Sequence, residues 1–258
     1  MKVVILAGGL GTRLSEETDI KPKPMIEIGG YPILWHIMNI YSYYGFNDFI
    51  ICLGYKGNII KKYFSEIYLQ TSDYTINTKK GEVIIHKDNS PNWNITMVET
   101  GPYTLTGGRL LRVKEYIDGD IFLMTYGDGV SNVNITEIIN FHKKHGKTAT
   151  LTAVKPPARF GVLNIADSGL ITSFREKPNG DGTWINGGFF VLNKEALDYI
   201  GQDEPYFEDY PLRNLANDGK LFAYKHHGFW HPMDTMSDKR FLENLWSNGR
   251  AEWKIWKD

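Results

Sequence analysis

Short apolar runs alternate with stretches in which apolar residues recur every three or four positions, and this rhythm fills the first half of the chain. Residues 2–7 (KVVILA) are apolar and rich in β-branched side chains, which predicts a strand buried on both faces, the kind that parallel sheets use. After Pro32, the residues Ile33, Leu34, Ile37, Ile40, Tyr41 and Tyr44 share one helical face, and Gly45 stands where a helix C-cap belongs. DFIICL (48–53) reads as a second buried strand and 57–67 as another amphipathic helix. The alternation predicts an α/β fold with a doubly wound, Rossmann-like mixed sheet.

The pattern then changes. TINTKKGEVIIHK predicts a hairpin turning at Lys80-Gly81, and WNITMVET alternates as a strand does. Gly108 to Ile117 return to helical spacing. DIFLMTY (120–126) predicts a strand ending at Gly127-Asp128-Gly129, followed by a helix (135–144) and a strand (148–154). Further strands are expected near 160–166, 170–176, 184–192 and 221–230, with helices near 194–199 and 237–247. Without a repeat, low-complexity tract or linker, the reading is a single domain over 1–258, whose back half, from about residue 131, forms a smaller β lobe and a C-terminal helical tail.

Composition narrows the class. Hydrophobic residues make up 42% and charged residues 23%, a globular balance that permits a sizeable core. A formal net charge of −1 gives no support to a sequence-independent nucleic-acid binder. Cys52 is the one cysteine, so no internal disulfide forms and a reducing compartment is expected. The apolar run Val3 to Ala7 is too short for a signal core, and no stretch approaches a membrane span. A soluble cytoplasmic protein is therefore expected.

LAGGLGTRL (6–14) sets Gly8, Gly9 and Gly11 straight after a strand, where backbone N–H groups can converge on phosphate oxygens. Thr12 offers a hydroxyl and Arg13 a guanidinium fork. A purely structural glycine turn is the alternative. A P-loop would end Gly-Lys-Ser/Thr, whereas this loop ends Gly-Thr-Arg; a dinucleotide fingerprint would need a third glycine and an acid after the second strand, where Gly54 and Tyr55 stand. Both fit poorly.

Gly-Gly-x-Gly-Thr-Arg followed by Pro22-Lys23-Pro24-Met25 resembles the signature of the sugar-phosphate nucleotidyltransferases. The resemblance implies that Leu6, Ala7, Gly8, Gly9, Gly11, Thr12 and Arg13 bind a nucleoside triphosphate and that Lys23 reaches a phosphate, Arg13 and Lys23 being the catalytic cations. The flanking prolines restrict the backbone around Lys23, in keeping with a fixed cation. TGGRL (106–110) matches the family's loop against base and ribose, which adds Thr106, Gly107 and Arg109 to the nucleotide set; Gly107-Gly108 is also compatible with a mere helix entry.

Asp128 lies between glycines after an apolar strand, where open α/β sheets place ligand-binding residues, though Gly-Asp-Gly is also an ordinary turn. Asp234 in FWHPMDT is compatible with a helix N-cap. The resemblance implies that the two together hold a metal, and carboxylates with substrate phosphates suit Mg2+. No histidine pair at H-x-x-x-H spacing competes. On the sugar side, the resemblance implies that Glu176 and Lys177 of REKP and Asn186 and Gly187 of INGGFF contact the sugar phosphate; an exposed turn and a β-bulge are the plainer readings.

The likeness runs nearly end to end. It is closest to the branch of cytidylyltransferases that act on glucose 1-phosphate, whose SEET wording replaces the family's usual L-x-P-x-T after the loop. It implies CTP and glucose 1-phosphate as substrates, CDP-glucose as product, a role in making deoxysugars for bacterial surface polysaccharides such as lipopolysaccharide O-antigen, and a homo-oligomer. No residue shows by its chemistry that cytosine is preferred to uracil or thymine, so UTP or dTTP stays an alternative, as does a non-catalytic subunit that binds nucleotide sugars.

Overall fold

The computed structural model describes residues 1–156, 162–175, 183–201, 203 and 206–257, and the side chains of these apart from Arg13, Ser15, Glu16, Val162–Asn164 and Arg175. Seven strands build one sheet: β1 (Val3–Leu6), β2 (Asp48–Leu53), β3 (Asn94–Glu99), β4 (Ile121–Tyr126), β5 (Ala149–Val154), β6 (Ile185–Asn193) and β7 (Leu221–Lys225), in the order β7-β5-β6-β4-β1-β2-β3. β6 alone runs antiparallel, against both β4 and β5. The chain lays β1, β2 and β3 side by side and then returns to place β4 on the other side of β1. Such a reversal of strand order opens a crevice at the carboxyl ends of the central strands.

Alternation along each strand feeds two cores. Val3 and Ile5 of β1, Phe49 and Ile51 of β2, and Phe189 and Val191 of β6 face one layer. Val4, Leu6, Ile50, Cys52, Phe190 and Leu192 face the other. Helices α1 (Ile33–Tyr43), α2 (Gly57–Thr71) and α4 (Ile135–His145) cover the first face, joined by α6 (Met236–Ser247). Helices α3 (Thr106–Arg112) and α5 (Tyr210–Asn217) cover the second. A sheet sealed on both faces requires continuous apolar strands, which is why KVVILA and DFIICL lack polar alternation.

The expected elements recur with some differences, the helix near 194–199 being a 3-10 helix over Lys194–Tyr199. Helical spacing over Gly108 to Ile117 resolves into α3, which begins at Thr106, and a 3-10 turn at Lys114–Tyr116, with Leu110, Val113 and Ile117 all buried. The single strand expected over 221–230 is two: β7, and Trp230–Pro232, which pairs with Gly129–Ser131. α5 carried no sequence signal strong enough to announce it, since its buried face holds little more than Pro211, Leu212 and Leu215. Asp234 is not the helix cap: Thr235 is, in a reciprocal capping box with Asp238, which leaves the Asp234 carboxylate to other partners.

The hairpin 73–87 pairs Asp73–Asn77 with Glu82–Lys87, and its turn holds Gly81 at φ +71°. The C-terminal tryptophans dock on their own domain: Trp253 is fully buried beside His36, and Trp246 and Trp256 also pack around that imidazole. Among the described residues, no helix is long and apolar enough to cross a membrane.

Candidate functional site

β1 ends at Leu6 and the chain enters the glycine loop at the carboxyl edge of the sheet. None of the N–H groups of Gly8, Gly9, Leu10 and Gly11 donates to a protein acceptor among the described residues, which leaves a run of donors open for an anion. Gly11 has φ +66°, and a Cβ there would lie 2.8 Å from Thr18 Cγ2. The Thr18 hydroxyl donates to Gly11 O and Leu14 O, so the SEET segment closes the loop from behind.

Arg109 explains Gly8. Its guanidinium is buried in the loop's base and donates to Leu53 O and Thr100 Oγ1 through Nη1 and to Gly8 O through Nη2. A Cβ on Gly8 would lie 2.0 Å from Nη1, so glycine is required for the approach. Burial, and then the neighbouring Arg112, lowers the Arg109 pKa while Cys52 opposes the shift. Three of its five N–H donors are thereby committed to the scaffold. Arg109 also lines the cavity.

Lys23 sits in a 3-10 turn (Lys23–Met25) between its two prolines, and Pro24 packs against Gly127. Its Nζ lies 2.6 Å from Asp128 Oδ2 and 2.7 Å from Asp234 Oδ1. Asp128 follows β4; Asp234 is brought in because Met233 N donates to Asp128 O next to the small ladder that pairs Trp230–Pro232 with Gly129–Ser131. Side-chain exposure is 11% for Lys23, 31% for Asp128 and 14% for Asp234, so the cluster is sheltered on the lysine side and open at Asp128. Burial alone would lower the Lys23 pKa, yet the two carboxylates outweigh it and the net shift is upward.

Two cavities flank this cluster. The larger, of about 460 Å³, is lined by Leu6, Ala7, Gly8, Gly9, Gly11, Thr12, Lys23, Thr106, Arg109, Asp128 and Asp234, with Tyr103 and Tyr206 at its side. The smaller, of about 230 Å³, is lined by Asn186, Gly187, Gly188, Trp230 and again Asp128 and Asp234. Tyr126, Asp128 and Asp234 belong to both. Gly107 is buried within α3 and lines neither. Glu176 and Lys177 lie outside the described residues, as does the Arg13 side chain.

Tyr126, which lines both cavities, and Glu208, which holds its hydroxyl, are among the residues the sequence reading missed. Tyr126 ends an otherwise apolar strand, a signal that was available in TYGDGV. Glu208, which accepts hydrogen bonds from Tyr126 and Thr106, sits in a turn before α5 and gave no local sign. The Gly187-Gly188 pair does form a bulge: pairing of β5 with β6 shifts between Leu151 and Ala153, and Gly188 adopts φ +79°. Elsewhere, His142 and His145 both contact the Thr150 hydroxyl and serve the interior of the fold.

Known proteins resemble this chain closely. The family described as nucleotidyl transferase matches residues 2–235. A glucose-1-phosphate cytidylyltransferase of Salmonella typhi is 57% identical over 258 residues, covering 100% of both chains. A probable glucose-1-phosphate cytidylyltransferase of Bacillus subtilis is 47% identical over 257 residues, covering 99% of this chain and 100% of its own. In fold, the crystal structure of a putative glucose-1-phosphate thymidylyltransferase from Bacillus anthracis superposes with a TM-score of 0.70 at 19% identity, over 100% of this chain and 98% of the other.

Proposed function

We infer the function from one premise: this chain belongs to the nucleotidyl transferase family. It is an enzyme that transfers a cytidylyl group from CTP to α-D-glucose 1-phosphate, giving CDP-glucose and pyrophosphate, in line with its full-length identity to curated glucose-1-phosphate cytidylyltransferases. In the molecule, the observation that carries this reading is that two cavities of unequal size share the wall made by Tyr126, Asp128 and Asp234. A triphosphate on one side of that wall and a sugar phosphate on the other would meet where Lys23 lies.

In this reading the sugar phosphate oxygen attacks the α-phosphorus in line and pyrophosphate departs. Two polyanions must approach, and at about 4 Å each unit like-charge pair costs roughly 4 kcal/mol at an effective dielectric near 20. Fixed cations are therefore the main catalytic requirement, and a protein nucleophile is not. The open N–H groups of the glycine loop and the Arg13 side chain would hold the β- and γ-phosphates. Lys23 would steady the α-phosphate, and Lys177 with Glu176 would bring in glucose 1-phosphate beside Asn186 and Gly187. Arg109 would act at the base of the nucleotide pocket, and Thr106 and Gly107 beside it.

Mg2+ fits the residues present. Asp128 and Asp234 each bring one oxygen within 2.7 Å of a single cationic nitrogen, so both can reach one small cation. Two carboxylates suffice where phosphates and water complete the shell. When bound, the ion supplies positive charge opposite the triphosphate and the departing pyrophosphate.

The reading extends to a cytoplasmic homo-oligomer that feeds deoxysugar synthesis for surface polysaccharide. Exposed Ile76 and Ile84 on one hairpin, and Ile171 and Phe174 on another, support self-association. Offering glucose 1-phosphate with CTP, UTP, dTTP and ATP in turn, and following pyrophosphate, tests the reaction. CTP should be used at least about tenfold better than the others by kcat/KM; equal use of UTP or dTTP would move the assignment to those nucleotides, and release with none would remove catalysis.

A further inference from the structure

We propose that Glu208 is a positioning residue: its carboxylate holds Tyr126 and Thr106 in place, and through them fixes the wall between the two cavities and the orientation of Asn186. The proposal rests on the reading of these cavities as nucleotide and sugar sites.

The hydrogen bonds have one direction. Glu208 accepts from Tyr126 Oη at 2.5 Å through Oε1 and from Thr106 Oγ1 at 2.5 Å through Oε2. Thr106 Oγ1 in turn accepts from Phe207 N at 2.8 Å, so its hydroxyl proton is committed to the carboxylate. Tyr126 Oη accepts from Asn186 Nδ2 at 3.1 Å, and Asn186 Oδ1 accepts from Gly188 N at 2.9 Å. Donation therefore runs from the sugar-side bulge through Asn186 and Tyr126 to Glu208, and from α3 through Thr106 to the same group. An ionised carboxylate can only accept, which fixes both hydroxyl rotors.

Packing makes the arrangement tighter. A Cβ on Gly188 would lie 2.5 Å from Tyr126 Cδ2, so the ring rests directly on the bulge. With its oxygen fixed by Asn186 and Glu208 and its face held by Gly188, the Tyr126 ring has one position. Asn186 keeps one Nδ2 hydrogen for a ligand, aimed by the bond that the other makes. No basic side chain is recorded within ion-pair distance of Glu208 among the described residues. Its role is thus to orient neutral donors, and removing it should loosen both cavities at once.

The test is calorimetric binding of CTP and, separately, of glucose 1-phosphate, with steady-state kinetics on the same preparations. Tyr126→Phe keeps the ring and removes only the hydroxyl; it should weaken glucose 1-phosphate about three- to tenfold, as loss of one oriented hydrogen bond does, and CTP less. Glu208→Ala should weaken both ligands, Glu208→Gln should restore part of each loss, and the double variant should match Glu208→Ala for glucose 1-phosphate. A role confined to stability would lower Tm and leave both affinities unchanged. If wild type binds both ligands and folded Tyr126→Phe binds them equally well, the positioning role is overturned while the functional reading survives, even should Glu208→Ala fail to fold. If wild type binds neither, the reading itself fails, and this proposal with it.

Discussion

The Lys23 ammonium lies 2.6 Å from Asp128 although 105 positions separate them in the chain, and the same nitrogen reaches Asp234. The lysine read as a phosphate ligand and the two aspartates read as metal ligands are thus one electrostatic unit. Lys23 supplies positive charge to both carboxylates at once.

Replacing it exposes that dependence. Lys23→Met removes the ammonium that Asp128 and Asp234 share, a loss of roughly 2 kcal/mol or more, which for a chain of 258 residues corresponds to a Tm lowered by about 5 °C in the presence of a chelator. Magnesium should then raise the Tm of the variant by more than that of wild type. Thermal unfolding with EDTA and with magnesium measures both, and equal magnesium shifts in the two proteins would break the link.

Asp128→Asn should lower kcat by about 100-fold or more, the scale of losing an electrostatic anchor at a reacting phosphate, with less than about 1 kcal/mol change in stability, because Asp128 is the most exposed of the three groups. Pyrophosphate release against magnesium concentration is the measurement. A variant with full magnesium-dependent turnover takes Asp128 out of the site.

Arg109→Lys preserves charge but cannot bridge Gly8 O, Leu53 O and Thr100 together. Gly8 O keeps the bond from Tyr55 N and Leu53 O those from Thr100, but losing buried hydrogen bonds from a charged donor costs about 2–3 kcal/mol, and the glycine loop loses its floor. Denaturant unfolding should show that loss, and CTP affinity should fall about tenfold or more. Wild-type CTP affinity in a destabilised Arg109→Lys would confine the residue to the scaffold.

His36 sets a pH dependence far from the site. Burial lowers its pKa to about 4, with the backbone carbonyls of Ile28 and Tyr31 opposing and Lys254 adding. The unfolded chain, with an ordinary value near 6.5, therefore binds the proton first as pH falls. Stability from this group is complete above about pH 6.5 and declines toward pH 4, by an amount of order 3 kcal/mol. Urea unfolding between pH 4.5 and 7.5 should show the decline in wild type and its absence in His36→Leu. Parallel profiles would assign the decline to other groups.

Local physics made much of this legible in advance. β1, β2 and α1 follow from apolar runs and from a helical face closed by Gly45, whose φ of +84° a side chain would resist. The glycine loop was visible because three glycines after a buried strand run straight into Thr12-Arg13 and are followed by Pro22-Lys23-Pro24-Met25. α5 was not, because an eight-residue helix with a narrow apolar face resembles a polar turn in sequence. The break between β7 and Trp230–Pro232 was hidden because apolar and aromatic residues continue through both.

What the sequence determined by itself, then, was which segments are strands, which are helices, and where the chain turns to present backbone donors, since those depend on neighbours within a few residues. Only the tertiary structure decided that β6 enters antiparallel beside β4, that Arg109 fills the space Gly8 leaves, and that Glu208 meets Tyr126 across 82 positions. Such pairings are fixed by burying both faces of one sheet at once, a constraint on the whole chain that no window of sequence contains.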